Sequence, residues 1–241
     1  MGKEETKHLF QNEDSHWWFI GRRLIIRTIL DRFLISRQNQ RVLEIGAGTG
    51  GNLEMLSKYG DLYAMEPDNE ARVIANKRGW CEVKKGMLPS DIPFDHNFDL
   101  VCLLDVLEHI DDREDSLSSI YLKMESGGTL LITVPAYQWL WSYHDLQAHH
   151  RIRYRKNELV SLLEKCKFKV TYSSYFNSIF LPLLVVIRFF KGIFLKVPGT
   201  DSNLPSALIN NICIKIFAIE SMYLRFISFS FGMSIILLAK K

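Results

Sequence analysis

The sequence predicts an α/β domain built on a doubly wound seven-stranded sheet, with an apolar helical insertion before the last strand. Three observations carry this. Short apolar runs alternate with helical stretches from Arg41 to Ser174, the pattern of successive βαβ units. The first run, Val42 to Ile45, leads into Gly46, Gly48, Gly50 and Gly51. Glycines so dense give a loop with positive φ and exposed N–H groups, a binding edge for a nucleotide-like ligand. Asp99 to Leu104 is an apolar run suited to a strand buried on both faces.

The elements follow in order. Trp17-Trp18-Phe19-Ile20 opens a helix reaching about Ile35. Strands are expected at Arg41–Ile45, Leu62–Met65, Cys81–Lys84, Asp99–Leu104, Thr129–Val134, Lys169–Ser174 and Ser234–Ala239. Helices are expected at Gly50–Tyr59, Asn69–Arg78, Arg113–Met124 and 157–166. Pro135 stops the fifth strand, and Gly127-Gly128 turns the chain into it. The domain plan is an N-terminal helical cap over 1–40, a core over 41–177 and 229–241, and a lid over 178–228. The lid is two apolar helices joined by the turn-rich Pro198 to Asn203, too short and too apolar to fold alone.

Composition narrows the function classes. The 241 residues are 47% hydrophobic and 24% charged, enough for one domain with a sizeable core. A formal charge of +3 is too small to imply nucleic-acid binding. Cys81, Cys102, Cys166 and Cys213 lack C-x-x-C spacing and read as free thiols in a reducing compartment. Met1 to Asp14 holds no apolar signal region, so a cytoplasmic location is expected, with the inner face of the membrane as a variant of it. That variant comes from Ile179–Val197 and Ile212–Ile227, apolar segments interrupted by Arg188, Lys191, Lys215, Glu220 and Arg225. Neither offers the roughly 20 uncharged residues of a spanning helix. An interfacial helix, a lid on a lipid cleft, core and dimer contact all fit the pattern.

Two cofactors fit the glycine loop. Gly46, Gly48 and Gly51 satisfy G-x-G-x-x-G, and Glu66 ends the next strand 20 residues after Gly46, the dinucleotide spacing. Glu44, two residues before the first glycine, would repel a pyrophosphate and can hold a cationic amino-acid moiety. Glu44 to Gly50 resembles the E/D-x-G-x-G-x-G motif of class I SAM-dependent methyltransferases, and Phe98 to Ile110 resembles their F-D-x-V…V-L-E-H segment. The resemblance covers roughly residues 15 to 175 and implies a Rossmann-like methyltransferase fold with S-adenosyl-L-methionine (SAM) as cofactor. Gly46, Gly48 and Gly50 would then line its methionine and ribose side. Glu66 would take the ribose hydroxyls, or serve as a helix N-terminal charge. Met87 and Leu88 would sandwich the adenine, where many relatives carry an Asp, and Asp105 would face the methionine end.

Histidines supply the candidate bases. His109 lies next to the cofactor, as base or as a structural residue. Tyr143, His144, His149, His150, Arg151, Arg153 and Tyr154 crowd a loop after the fifth strand. The histidines suit proton removal, and the arginines and tyrosines suit an anionic acceptor. This loop, with His16 to Arg23, is similar to a bacterial methyltransferase branch that accompanies surface-polysaccharide or lipid biosynthesis. Arg22 and Arg23 would lie near an acceptor phosphate, and Trp17-Trp18 would staple the first helix or close over the cofactor. Asp105 to His109 is also similar to the E-x-x-E-H segment of ubiquinone-pathway O-methyltransferases, which can hold Mg²⁺. Histidine is a poor Mg²⁺ ligand, so no metal is expected. The resulting expectation is O-methyl transfer to a lipid, a prenylated ring or a lipid-linked glycan. An NAD(P)-dependent oxidoreductase and a non-catalytic, membrane-associated SAM-binding protein are the alternatives.

Overall fold

The computed structural model describes residues 10, 12–34, 39–191 and 205–241. Helix α1 (Trp17–Phe33) precedes β1 (Arg41–Ile45), α2 (Leu53–Leu56), β2 (Asp61–Met65), α3 (Asn69–Lys77) and β3 (Val83–Lys84). There follow β4 (Phe98–Leu104), α4 (Arg113–Leu122), β5 (Met124–Pro135), α5 (Tyr143–Gln147), α6 (Lys156–Lys165) and β6 (Lys169–Phe176). Helices α7 (Phe180–Lys191) and α8 (Ala207–Leu224) then precede β7 (Ser234–Lys240). The sheet runs β3-β2-β1-β4-β5-β7-β6, parallel except for β7, which is antiparallel to both neighbours.

Strand alternation sorts the core into two layers. Leu43, Ile45, Val101, Leu103, Leu130 and Ile132 face α4 and α6. Val42, Leu100, Cys102, Leu131, Ile236 and Leu238 face Ile25, Ile26, Ile29 and Leu30 of α1, with Phe217 and Leu224 of α8. Because the central strands β1, β4, β5 and β7 are covered on both sides, the carboxyl ends of β1, β2, β4 and β5 are left as the edge where loops gather.

Seven strands and the insertion sit close to where the sequence puts them, with β3 cut to Val83–Lys84 and α4 ending at Leu122, and with three further differences. The helix expected from Gly50 begins only at Leu53 and passes into a tight 3₁₀ turn at Ser57–Tyr59, because the glycines hold positive φ up to Gly50. β5 starts at Met124, and Gly127-Gly128 lies within it. The register jumps from Phe98–Met124 to Leu100–Thr129, an irregularity that Gly127, at φ +75°, accommodates. Pro135 is the last paired residue of β5, opposite Ser234.

The insertion is docked on α1 by a polar and aromatic seam. Asn210 accepts from the Trp17 N–H at 2.8 Å and donates to the Ser15 carbonyl at 2.9 Å. Trp17 packs on Phe180 and Phe217, and Trp18 on Phe176 and Phe217, so the tryptophan pair is a staple between α1 and the insertion. A Cβ on Gly21 would stand 2.4 Å from the Phe217 ring, so glycine sets the crossing distance. Residues 1–9 of the cap and the Pro198 to Asn203 turn lie outside the described residues.

Candidate active site

The glycine loop is shaped by carboxylates. The Gly46 and Ala47 N–H groups both bond the Met65 carbonyl, and the Gly48 N–H donates to Glu66 Oε2 at 2.8 Å. These three amides, expected to be exposed, are therefore spent within the fold and are not offered to a pyrophosphate. Gly46, Gly48 and Gly50 have φ of +72°, +55° and +85°. A side chain at Gly46 would press on Val106, so the loop and the chain after β4 pack against each other only with glycine there.

Glu44 is buried at the end of β1. Its Oε1 accepts from Asn52 Nδ2 at 2.8 Å, and its Oε2 is buried with no partner. Burial pushes the Glu44 carboxyl up to about 8, against the opposing effects of Asn52 and Arg22. An orphaned carboxyl oxygen of this kind fits the ammonium or sulfonium charge of SAM, which would draw it into the ionised form. Glu66 lies at the carboxyl end of β2. Its two oxygens accept from Gly48 and Asp68 N–H, leaving lone pairs for ribose hydroxyls, and burial raises its pKa. The alternative of a helix N-terminal charge is met by Asp68 instead, which caps α3 through the Ala71 N–H.

Asp105 follows β4 at φ +59°. Its Oδ1 accepts from Thr133 Oγ1 at 2.9 Å, and its Oδ2 is paired with Arg22. Arg22 also reaches Asn52 Oδ1 at 3.4 Å. Arg23 donates to the Gly51 and Glu13 carbonyls. The structure thus places both arginines inside the cofactor edge, committed to protein acceptors, rather than open toward an acceptor phosphate. Glu13, which nothing in its neighbourhood in the sequence marks, lies over the loop. It accepts from Thr49 Oγ1 at 2.6 Å and pairs with Arg78 at 2.5 Å.

The histidine loop is pinned to the ends of β4 and β5. Arg151 N–H bonds the Glu108 carbonyl at 2.7 Å, and Tyr154 N–H bonds the Pro135 carbonyl at 3.0 Å. Asp145 is its organising residue, fully buried. It accepts from Ser142, from Arg153 Nε and Nη2 at 2.7 and 2.9 Å, and from His150 Nδ1 at 2.8 Å. Burial would raise its pKa, but the His150 and Arg153 hydrogen bonds hold it well below the usual carboxylate range. An ionised Asp145 assigns the proton to His150 Nδ1 and leaves Nε2 free. The His150 ring stands 4.8 Å from that of His109 and 6.2 Å from that of His144. His109 is pushed down to about 4, first by the protein packed round it and then by the charge of His150.

Several expected contacts fall elsewhere. Arg153 is spent on Asp145 and the Ala136 carbonyl, so it is no fork for an anionic acceptor. Tyr154 is buried and donates to the Leu107 carbonyl, so it braces the loop. Tyr143, His144, His149 and Arg151 are exposed at the rim. Leu88 packs in the main core with Met65 and Phe94, while Met87 is exposed. Only Met87 of that pair is therefore open toward a ligand. Glu108 has a role in the sequence reading only through the Mg²⁺-binding resemblance. It is fully buried, and neither carboxyl oxygen has a partner from another residue. Its ligand atom and those of His109 and His150 lie within 4.8 Å of one another. A cavity of about 560 Å³ lined by Trp80, Cys81, Phe94 and His96 opens beside β2 and β3. It contains none of these groups.

Residues 17–173 match the family model described as a methyltransferase domain. An uncharacterized methyltransferase from Staphylococcus carnosus (strain TM300) is 35% identical over 102 residues, 41% of this chain and 49% of that protein. The match thus spans about half the length of that relative. Among solved structures, a putative methyltransferase from Haloferax volcanii, in complex with the Trm112 methyltransferase activator, superposes with a TM-score of 0.62 at 17% identity. That match covers 99% of this chain and 94% of that one. A SAM-dependent methyltransferase from Archaeoglobus fulgidus gives 0.55 at 22% identity, over 91% and 94%. The fold is the one these SAM-dependent methyltransferases share. This chain belongs to the methyltransferase-domain family; SAM is the cofactor the resemblance implies, and the orphaned Glu44 oxygen and the Glu66 carboxylate at the glycine loop fit it.

Proposed function

We propose that this chain transfers the SAM methyl group to a hydroxyl of an amphipathic acceptor: a lipid, a prenylated ring or a lipid-linked saccharide. The observation that carries the reading is the buried Asp145–His150 pair beside His109, on a loop tied to the β4 and β5 ends. In this reading Glu44 takes the amino-acid end of SAM and Glu66 the ribose. Asp105, held by Arg22 and Thr133, limits the methionine pocket. The sulfonium is already activated, so alignment and water exclusion are most of the work. A hydroxyl also needs its proton removed, and the free Nε2 of His150 is poised for that. Tyr143 and Arg151, exposed at the rim, would meet a polar or anionic acceptor end, Arg151 exchanging its loose surface pair with Asp111 at 3.5 Å.

The apolar end of the acceptor is supported by α8. Leu208, Ile209 and Ile212 are exposed at the end of α8 that Asn210 ties to the segment beside Glu13. We extend the proposal to peripheral contact of the 178–228 insertion with the cytoplasmic face of a membrane. The test is incubation of the purified chain with methyl-labelled SAM and a lipid extract of its own cells. The expected result is a labelled methyl ether in the organic phase, lost in His150→Ala with SAM affinity retained. Label on nitrogen, or none in that phase, overturns the reading.

A further inference from the structure

The Glu108, His109 and His150 constellation differs from an ordinary base site in one respect. A general base needs one imidazole and one orienting carboxylate, which His150 and Asp145 already provide. Glu108 adds a second carboxyl, fully buried at the 3₁₀ turn after β4, with both oxygens unpartnered and Oε1 4.0 Å from His150 Nε2. An unpaired carboxyl that deep is costly, and the cost is met if a cation is the missing partner. The surroundings are built as metal sites are built. Asp145 fixes the tautomer and aim of His150, and Arg153 and Ser142 fix Asp145, the second layer that orients a ligating imidazole. His109 is held by a hydrogen bond to the His149 backbone. Asp105, which the Mg²⁺-binding resemblance would make a ligand, is committed to Arg22 and Thr133.

We propose that Glu108, His109 and His150 bind a divalent transition-metal ion, zinc being the fitting one, with a fourth position open to the acceptor oxygen. Two imidazoles and one carboxylate suit zinc and not Mg²⁺. Zinc bonds of about 2.0–2.1 Å in a tetrahedron set ligand atoms about 3.4 Å apart, so the present 4.8 Å closes by side-chain rotation of about 1 Å. The role in catalysis rests on the O-methyltransferase reading; the binding itself does not. In that role His150 Nε2 is a ligand and no longer the base, so the ion replaces it in activating the acceptor, and the hydroxyl on the ion releases its proton to solvent. Its oxygen then attacks the sulfonium methyl carbon, and the S–CH₃ bond breaks with its electron pair left on sulfur. The products are the methyl ether and S-adenosylhomocysteine.

The experiment is calorimetric titration of the chelator-treated full chain with Zn²⁺, and with Co²⁺ followed by visible absorption, without SAM or acceptor. One ion per chain is expected, with the ligand-field bands of four-coordinate Co²⁺. Glu108→Gln and His150→Gln should each abolish it, and Asp145→Asn should weaken it ten- to a hundredfold. His96→Gln, packed against Tyr63 at the other edge of the sheet, should leave it unchanged. Circular dichroism and SAM affinity report folding of each variant, and if Glu108→Gln fails to fold, His150→Gln decides. No stoichiometric binding, or binding indifferent to both substitutions, overturns the proposal. Binding that survives while no labelled acceptor is found leaves the site standing and removes the O-methyltransferase reading.

Discussion

Among single residues, Glu44 ties the cofactor to pH. Its carboxyl is raised from an ordinary 4.5 to about 8 by burial. Above 4.5 the unfolded chain therefore binds fewer protons than the folded one, and the stability of the cofactor-free protein falls as pH rises, levelling off near 8. SAM reverses the preference, because its positive charge favours the carboxylate. At pH 7, binding should release about one proton per SAM, read as the dependence of calorimetric heat on buffer ionisation enthalpy. Glu44→Gln should remove this release, flatten the pH dependence of Tm between 5 and 8 and weaken SAM binding. A variant that still releases the proton would assign it to another group.

At the scale of elements, the crossing of α1 and α8 is the joint that holds the insertion to the core. Gly21→Ala gains about 1 kcal/mol of helix propensity, yet its methyl meets Phe217 Cγ at 2.4 Å and Cβ at 2.8 Å. These are the root of the ring, not its flexible end, so overpacking of about 1–3 kcal/mol should win. Urea unfolding should show Gly21→Ala less stable than the parent. Added to Phe217→Ala, it should cost little more, since the ring it strikes is gone; additive losses would contradict the crossing. Glu220 completes the joint from α8 by accepting the Ser178 N–H at 3.0 Å, just ahead of α7. None of these pairings could be read locally. The seven strands, the glycine loop with Glu44 and Glu66, and the insertion were legible because periodicity and spacing act over a few residues. Glu13 over Thr49, Arg22 on Asp105 and the unpartnered Glu108 were not, since each depends on chain segments tens of residues apart meeting in space. Arg153 and Tyr154 were assigned to the acceptor for the same reason: composition puts them in the loop, and only the fold shows Asp145 and Leu107 claiming them.

For the whole molecule, the insertion carries an inverted surface. Helix α8 buries Asn210, Glu220 and Ser221 beside Phe217 and Leu224, and leaves Leu208 72%, Met222 64% and the following Phe226 80% exposed. Ile212, Ile219, Tyr223 and Ile227 are also exposed there, as are Leu183 and Val186 of α7. Helix α8 is long and apolar enough to cross a membrane by length and mean hydropathy. Its buried Glu220 and its seam with α1 instead fit a helix lying along an interface with its outer face in lipid. Lys215 and Arg225 are exposed, whereas Glu220, the one acidic residue of α8, is buried. The open surface of this helix therefore carries positive charge alone, which suits an anionic leaflet. The chain should co-sediment with vesicles containing phosphatidylglycerol and much less with neutral phosphatidylcholine, and added salt should weaken the binding. Lys215→Glu with Arg225→Glu should abolish the anionic preference, and Met222→Ser with Phe226→Ser should weaken binding to both, with SAM affinity unchanged throughout. If the chain instead sediments as a salt-insensitive dimer that ignores vesicles, and the serine substitutions make it a monomer, the face is covered by a second copy and the membrane reading fails.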